Sequence, residues 1–183
     1  DEILAGGNQK SLDKARKELR DSLLTIAPIF TEKPFTTDLR EADALLRRIL
    51  ETGTSVSVNH TWRWRPEIAE ARAVIARGDL GPLAHVAIQA GGPRAMLFRN
   101  LTHFLDLALY LADAEPDWVA AELEAGSEDY GLVYNGDGGR DPALDPGALV
   151  HMGFPNGVRA FVNGLKATSS DVVIDLSCLE GRI

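Results

Sequence analysis

The order of periodic segments near the start of the chain constrains the fold most. Residues 23–30 form a largely apolar run that predicts a buried strand, and a Glu-Lys-Pro tripeptide at 32–34 follows, where proline stops further strand pairing. Apolar residues then recur at helical spacing over 38–52 before Gly53, and residues 54–59 alternate as a strand does. With a short predicted helix over 11–20, this order is typical of the end of a doubly wound α/β domain.

The rest of the chain is richer in strands, and its turns indicate antiparallel pairing. Helices are predicted from Pro66 to the glycine at 78 and over 100–111. Strands are predicted over 83–90, 118–123, 148–154, 158–165 and 172–179. A Pro-Asn-Gly turn at 155–157 predicts a hairpin, and the Gly- and Asp-rich stretch 126–147 predicts a loop. We therefore expect an α/β (α+β) fold, with a mixed, largely antiparallel open sheet and helices on one of its faces.

Composition limits the partners that the chain is expected to bind. The 183 residues carry a net charge of −8, which argues against nucleic acid or an anionic membrane as the main partner. The single cysteine excludes an intrachain disulfide, and no apolar run approaches the ~18–20 residues of a membrane span. The start does not resemble a signal peptide, so a cytoplasmic location is expected. The four histidines show no metal-ligand spacing, so no metal site is predicted.

Lys33 is the first candidate for chemistry, because it follows the first predicted strand directly. Open α/β sheets bind ligands at the carboxyl ends of their strands, so a lysine at this position faces a potential substrate. Its ammonium group can hold a substrate hydroxyl and favour the deprotonated form of that hydroxyl. The alternative is a surface lysine beside a turn, and spacing alone favours this alternative.

His103 is the second candidate, on the helix predicted over 100–111. One face of the segment carries polar residues at i, i+4, i+7 and i+11: Arg99, His103, Asp106 and Tyr110. Polar groups on an otherwise apolar helix need partners if they are buried. A functional interpretation makes His103 a general acid/base. The alternative is an ordinary helix–sheet contact with a hydrogen bond to Asp106, and the residues alone do not decide between the two.

A third cluster lies over 59–66, between a predicted strand end and a predicted helix start. Backbone N–H groups favour anions at such a position, and Arg63 and Arg65 can contact a phosphate or carboxylate while tryptophans form a pocket wall. The alternative is a hydrophobic corner in which arginine stacks on tryptophan. His60 is interpreted as a possible structural hydrogen-bond donor.

Together these residues resemble the glucose–fructose oxidoreductase, inositol dehydrogenase and related Gfo/Idh/MocA-type oxidoreductases. The resemblance covers roughly residues 20–183 and rests on the order and spacing of several motifs rather than on one of them. These motifs are Glu-Lys-Pro at 32–34, the helix ending in Glu-Thr-Gly at 51–53, the Arg-, Trp- and Pro-containing stretch 58–66, the glycine turn within 75–83, the Thr-His-Phe-Leu-Asp segment at 102–106, and the late-strand segments at 163–164 and 179–183.

The resemblance implies two domains and a redox activity. Residues 1–59 would be the C-terminal remnant of a dinucleotide-binding Rossmann domain, and residues 60–183 would be an α/β domain for substrate binding and oligomerisation, incomplete at its C-terminus. The family uses NAD or NADP to oxidise or reduce sugars and polyols. A homo-oligomer formed through the open sheet is expected, because that sheet often mediates assembly in the family.

The resemblance also assigns roles to individual residues. Lys33 and His103 would be catalytic. Substrate would be bound by Arg99, Asn100, Asp106 and Arg63. The cofactor would lie near Glu32, Lys33, Pro34, Arg63 and Trp64.

Two departures from the family pattern keep other functions open. Many members carry Asp four residues before the histidine, where this chain has Arg99, which depresses the pKa of a neighbouring histidine. The chain also has no glycine-rich phosphate loop, so it is expected to bind a dinucleotide weakly by itself and to be part of a longer enzyme. The alternatives are a non-catalytic binding or assembly protein that keeps the sheet domain, and a non-redox lyase or hydrolase.

Overall fold

The computed structural model describes residue 17 and residues 27–36, 39–92, 97–125, 146–166 and 171–183. The chain divides into two compact units, residues 1–59 and 60–183. The helix predicted over 11–20 lies outside the described residues apart from Lys17, which is helical, and most of the loop predicted over 126–147 also lies outside them.

The first unit contains two parallel strands joined by a helix. Strand β1 spans Ile29–Glu32, helix α1 spans Leu39–Thr52 and strand β2 spans Val56–Asn59, with Thr31 beside Val58 in the register. Parallel strands require a crossover connection, which α1 supplies. The helix ends where Gly53 adopts a φ of +66°, a conformation that glycine enters without steric strain.

The prediction of a strand over 23–30 is wrong at residues 27 and 28, which the structure describes and which are not in a strand. Pro28 has no backbone N–H and so cannot donate to a strand partner. The first N–H of the ladder is that of Ile29, which donates to the carbonyl of Ser55 at 2.8 Å. Strand β1 therefore begins at Ile29 and ends directly before Lys33.

The second unit is built on a sheet of five described strands in the order β4-β5-β6-β3-β7. The strands are β3 at Leu83–Ala90, β4 at Trp118–Leu123, β5 at Ala148–Gly153, β6 at Arg159–Asn163 and β7 at Val172–Cys178. Strands β3 and β6 pair in parallel, whereas the other neighbours pair antiparallel. The predicted hairpin at 155–157 is confirmed, because β5 and β6 pair across it and the N–H of Phe154 donates to Val158.

Four helical segments accompany this sheet in the part of the chain that the structure describes. A 3-10 turn spans Thr61–Trp64, α2 spans Pro66–Arg77, a π-helical turn spans Leu97–Leu101, and α3 spans Thr102–Ala112. The helix predicted over 100–111 therefore begins two residues later than expected, because its first residues are wound as a π-helical turn. No described helix is both long enough and apolar enough to cross a membrane.

The core of the second unit lies between α2, α3 and one face of the sheet. Leu107 and Ala108 of α3 have no exposed surface, and neither do Val86 of β3 or Ala160 of β6. Alternate residues of each strand point to opposite faces, so the other face of the sheet carries residues such as Phe161, which is 44% exposed. The predicted fold class, a mixed sheet with helices on one face, is confirmed.

Replacing Leu107 with alanine tests this core. Leu107→Ala is expected to lower the free energy of unfolding of the second unit by about 2–5 kcal/mol, because a fully buried side chain would leave a cavity. The matched control is Leu179→Ala, whose side chain is 72% exposed, and it should change the value by less than about 0.5 kcal/mol. Urea denaturation followed by tryptophan fluorescence measures both variants, since all three tryptophans lie in this unit. Equal decreases in the free energy of unfolding of the two variants would contradict the assignment of Leu107 to the core.

Candidate functional site

The candidate site of the second unit is organised around the carboxylate of Asp106 on α3. Arg63 of the 3-10 turn donates two hydrogen bonds to it, from Nε to Oδ2 at 2.7 Å and from Nη2 to Oδ1 at 2.5 Å. The Asp106 side chain is 14% exposed, so the carboxylate requires such a partner. The hydrogen bonds to Asp106 raise the pKa of Arg63 above its ordinary value, which keeps the guanidinium charged. The pair is bidentate, the geometry in which arginine binds carboxylate most strongly.

Tyr110, one turn further along α3, lies against two guanidinium groups. The Cζ atom of Arg63 is 4.9 Å from the centre of the Tyr110 ring, and that of Arg72 is 4.0 Å from it. Arg72 also donates to the backbone carbonyl of Tyr110 and, at 2.6 Å, to the carboxylate of Asp113. These contacts tie the 3-10 turn and α2 to α3, so the polar side of α3 is held from two directions.

Two histidines meet beside this ion pair. The Nδ1 atom of His60 is 3.6 Å from Oδ2 of Asp106, and both side chains are largely buried. The rings of His60 and His103 lie 5.8 Å apart between centroids, with an angle of 88° between their planes. His103 precedes Asp106 by three residues on α3, so the two side chains lie on neighbouring positions of the helix surface. The result is a row of four groups: Arg63, Asp106, His60 and His103.

The tryptophans of the third cluster have different surroundings. The Trp62 ring contacts Phe104 at 4.9 Å between centroids, and Arg65 lies over Trp62 at 4.4 Å. The alternative interpretation of this cluster, arginine stacked on tryptophan in a hydrophobic corner, is therefore confirmed for Arg65. Trp64 is 74% exposed, and its role beside a cofactor stays a prediction.

The first unit contains the predicted residues that follow β1. Glu32 accepts a hydrogen bond from the Nδ2 atom of Asn59 at 2.7 Å, which links the ends of the two parallel strands. Lys33 is partly buried directly after this strand, and the peptide bond between Lys33 and Pro34 is cis. Lys33 therefore lies at the carboxyl end of β1, as expected, while its catalytic role stays a prediction.

The remaining predicted residues precede α3. Asn100 is exposed in the π-helical turn, and the side chain of Arg99 lies outside the described residues. Their predicted contacts with substrate stay predictions. Among the residues that the structure describes, no three His, Cys, Asp or Glu side chains converge as a metal ion requires. Burial raises the pKa of the Cys178 thiol, which disfavours the reactive thiolate form.

Sequence reasoning missed the contact between His60 and His103 and the stacking of Arg72 on Tyr110. Arg63 and Asp106 were each predicted to bind substrate, and the structure shows that they bind each other. They are separated by 43 residues in the chain, so no local spacing reports their contact. The available signals were the position of Arg63 after a predicted strand and the position of Asp106 on the polar face of a predicted helix.

Comparison with known proteins gives two curated relatives. The chain is 32% identical over 108 residues to the inositol 2-dehydrogenase of Mycolicibacterium smegmatis, a match that covers 54% of this chain and 31% of that protein. It is also 32% identical over 98 residues to the scyllo-inositol 2-dehydrogenase (NAD(+)) of Bacillus subtilis, covering 48% of this chain and 29% of that protein. The matched segments thus span about a third of these relatives. No protein-family model matches the sequence.

A solved structure has the same fold over most of the chain. It is an oxidoreductase from Agrobacterium radiobacter in complex with NAD+, L-tartaric acid and magnesium, with a TM-score of 0.66 and 20% sequence identity. The alignment covers 88% of this chain and 51% of that one. At this sequence identity the likeness shows a shared fold. The two curated relatives support the predicted resemblance to the Gfo/Idh/MocA-type oxidoreductases over part of the chain.

Removing the guanidinium of Arg63 tests the ion pair at the centre of the site. Arg63→Gln is expected to destabilise the second unit by about 1–3 kcal/mol, because it leaves the largely buried carboxylate of Asp106 without its charged partner. The control is Arg77→Gln, which breaks surface pairs with Glu70 and Asp79 and should leave the urea midpoint unchanged. If both variants behave like the wild type, the pair does not hold the site together.

Proposed function

We propose that the chain is part of an NAD(P)-dependent oxidoreductase that transfers a hydride between nicotinamide and a CH–OH group of a sugar- or polyol-like substrate. The observation that carries the proposal is the position of His103, which lies partly buried against His60, whose ring faces the Asp106 carboxylate that Arg63 holds in place. The names of the two relatives, both inositol dehydrogenases, support a polyol as the substrate class. The alternatives of a non-catalytic binding or assembly protein and of a non-redox lyase or hydrolase predict no reduction of nicotinamide.

His103 is the proposed general acid/base of this reaction. When the substrate is oxidised, an imidazole nitrogen of His103 takes the proton of the reacting hydroxyl, and it returns that proton in the reverse direction. An ordinary histidine pKa lies near 6.5, which suits proton exchange near neutral pH. Asp106, together with Arg63, Arg99 and Asn100, is proposed to contact the other hydroxyl groups of the substrate.

Lys33 is proposed to hold the reacting oxygen. Its ammonium group donates a hydrogen bond to the hydroxyl and stabilises the negative charge that develops on the oxygen as its proton leaves. The end of β1 suits this role, because ligands of open α/β sheets bind at the carboxyl ends of their parallel strands.

The carboxyl ends of β1 and β2 are also proposed to lie along one side of a bound dinucleotide. The parallel pair β1 and β2 brings Glu32 and Asn59 together at that edge, with Lys33 and Pro34 next along the chain. These residues, with Arg63 and Trp64, are proposed to lie near NAD or NADP. The nicotinamide, when bound, accepts or supplies the hydride. The sequence carries no glycine-rich phosphate loop, so tight binding requires further protein.

Replacing His103 tests the proposed activity. In the whole protein, His103→Gln is expected to lower kcat by about 100-fold or more, because a general acid/base contributes about 10²–10⁴ to the rate. The matched control is His85→Gln, because His85 is exposed on a strand of the sheet and is assigned no role in the reaction. Reduction of NAD+ or NADP+ by inositols and sugars, followed by absorbance, measures both variants. Turnover that is insensitive to His103→Gln would contradict the assignment.

We also propose that the protein is cytoplasmic and forms a homo-oligomer through the open face of the sheet. Four large apolar side chains are exposed on this face at 37–57%: Trp118, Leu149, Phe161 and Val173. Such a patch on a soluble domain marks an interaction surface. His151 stacks on Phe161 here, and its Nε2 atom is buried without a hydrogen-bond partner among the described residues. A second copy placed against this face would cover the apolar patch.

A charge on the open face tests this assembly. Phe161→Glu is expected to shift the protein toward the monomer in sedimentation experiments, because burial of an unpaired carboxylate opposes association. Leu179→Glu is the control, since Leu179 is 72% exposed and lies beyond the end of β7. A wild-type protein that is already monomeric, or two variants that dissociate equally, would contradict assembly through this face.

A further inference from the structure

His60 occupies the position between an anchored carboxylate and the histidine of α3. Its Nδ1 atom faces Oδ2 of Asp106 at 3.6 Å, and its ring meets that of His103 at 5.8 Å and nearly at right angles. The proposed reaction uses His103 and assigns nothing to His60. A largely buried imidazole that lies against a second imidazole therefore needs an explanation of its own.

The backbone of the 3-10 turn directs His60 and Arg63 toward the same group. The carbonyl of His60 accepts a hydrogen bond from the N–H of Arg63 at 3.1 Å, which closes the turn. The side chain of Arg63 then holds both oxygens of Asp106, while the ring of His60 approaches one of them. One carboxylate of α3 thus binds Arg63 within the turn and lies near His60, the residue that precedes the turn.

The charges around His60 favour a proton on its Nδ1 atom. The carboxylate of Asp106 lies beyond hydrogen-bond range of Nδ1 of His60, so it acts on His60 through its charge, which the guanidinium of Arg63 partly offsets. A separation of 3.6 Å exceeds an ordinary hydrogen bond and lies within ion-pair range, so it favours a proton on Nδ1 of His60.

From this arrangement we infer that His60 is a positioning residue for His103, and that Asp106, clamped by Arg63, holds His60 in that position. The ring of His60 limits the rotation of the His103 ring and so sets the direction in which the nitrogens of His103 point. A general acid/base must have its nitrogen aimed at the reacting hydroxyl, because proton transfer requires hydrogen-bond geometry. The use of this contact in catalysis rests on the proposed role of His103 as general acid/base. The contact between the two rings is independent of that role.

Imidazole NMR of the ¹⁵N-labelled chain tests the inference without substrate or cofactor. The chain has four histidines, so its ring nitrogens give a small set of signals that report tautomer and protonation. His60→Gln removes the ring, and His60→Phe keeps a ring of similar size but removes its nitrogens. His85 and His151, on strands of the sheet, serve as internal references. His103→Gln assigns the His103 signals.

We expect His60→Gln to shift the ring signals of His103 and to change its tautomer ratio, with smaller changes at His85 and His151. His60→Phe should leave His103 closer to the wild type than His60→Gln does, because a ring still limits its rotation. Asp106→Asn should move the signals of His60. Three results would overturn the inference: unchanged His103 signals in His60→Gln, equal movement of all remaining histidines, or an effect of His60→Phe as large as that of His60→Gln.

These results are independent of those for the proposed function. Unchanged His103 signals in His60→Gln would not contradict His103 as the acid/base of a dehydrogenase, because that role is measured by turnover. A protein without turnover could still have His60 in contact with His103, as measured by NMR. If His60→Gln fails to fold, Asp106→Asn alone keeps the inference testable: it releases His60 and should shift the ring signals of His103, and unchanged His103 signals would overturn the inference.

Discussion

The burial of α3 against the inner face of the sheet is the interaction on which the second unit depends. Leu107 and Ala108 have no exposed surface and lie in one core with Val86 and Ala160, which have none either. Close packing of this kind leaves little freedom for the helix to rotate or slide. The polar positions of α3, beginning at His103, are therefore fixed in direction by apolar contacts made on the other side of the helix.

The polar positions of α3, fixed in this direction, meet two arginine side chains, Arg63 and Arg72. A helix that carries Asp106 next to a hydrophobic core must supply the carboxylate with a partner, and Arg63 meets this requirement with two hydrogen bonds. Tyr110 adds an aromatic surface on which Arg63 and Arg72 stack. The 3-10 turn and α2 are thus fastened to α3 by polar contacts, and His60 and His103 meet within that frame.

Local signals in the sequence predicted most of the fold, but they did not predict the tertiary contacts of the site. The strands at 83–90 and 118–123 and the hairpin at 155–157 follow from alternation and turn chemistry, which the sequence contains directly. The start of β1 was mispredicted because apolar character was given more weight than the missing N–H of Pro28. The pairing of Arg63 with Asp106 joins residues 43 positions apart, and only the packed core determines that they meet.

A deuterium-transfer experiment tests the proposed hydride transfer to nicotinamide. The whole protein would be incubated with NAD+ or NADP+ and with an inositol that carries deuterium on the carbon of the oxidised hydroxyl, and the reduced cofactor would be analysed by mass spectrometry. We expect deuterium to appear on the nicotinamide and turnover to show a primary isotope effect. Product formation with deuterium lost to water and no reduced nicotinamide would contradict it and indicate non-redox chemistry.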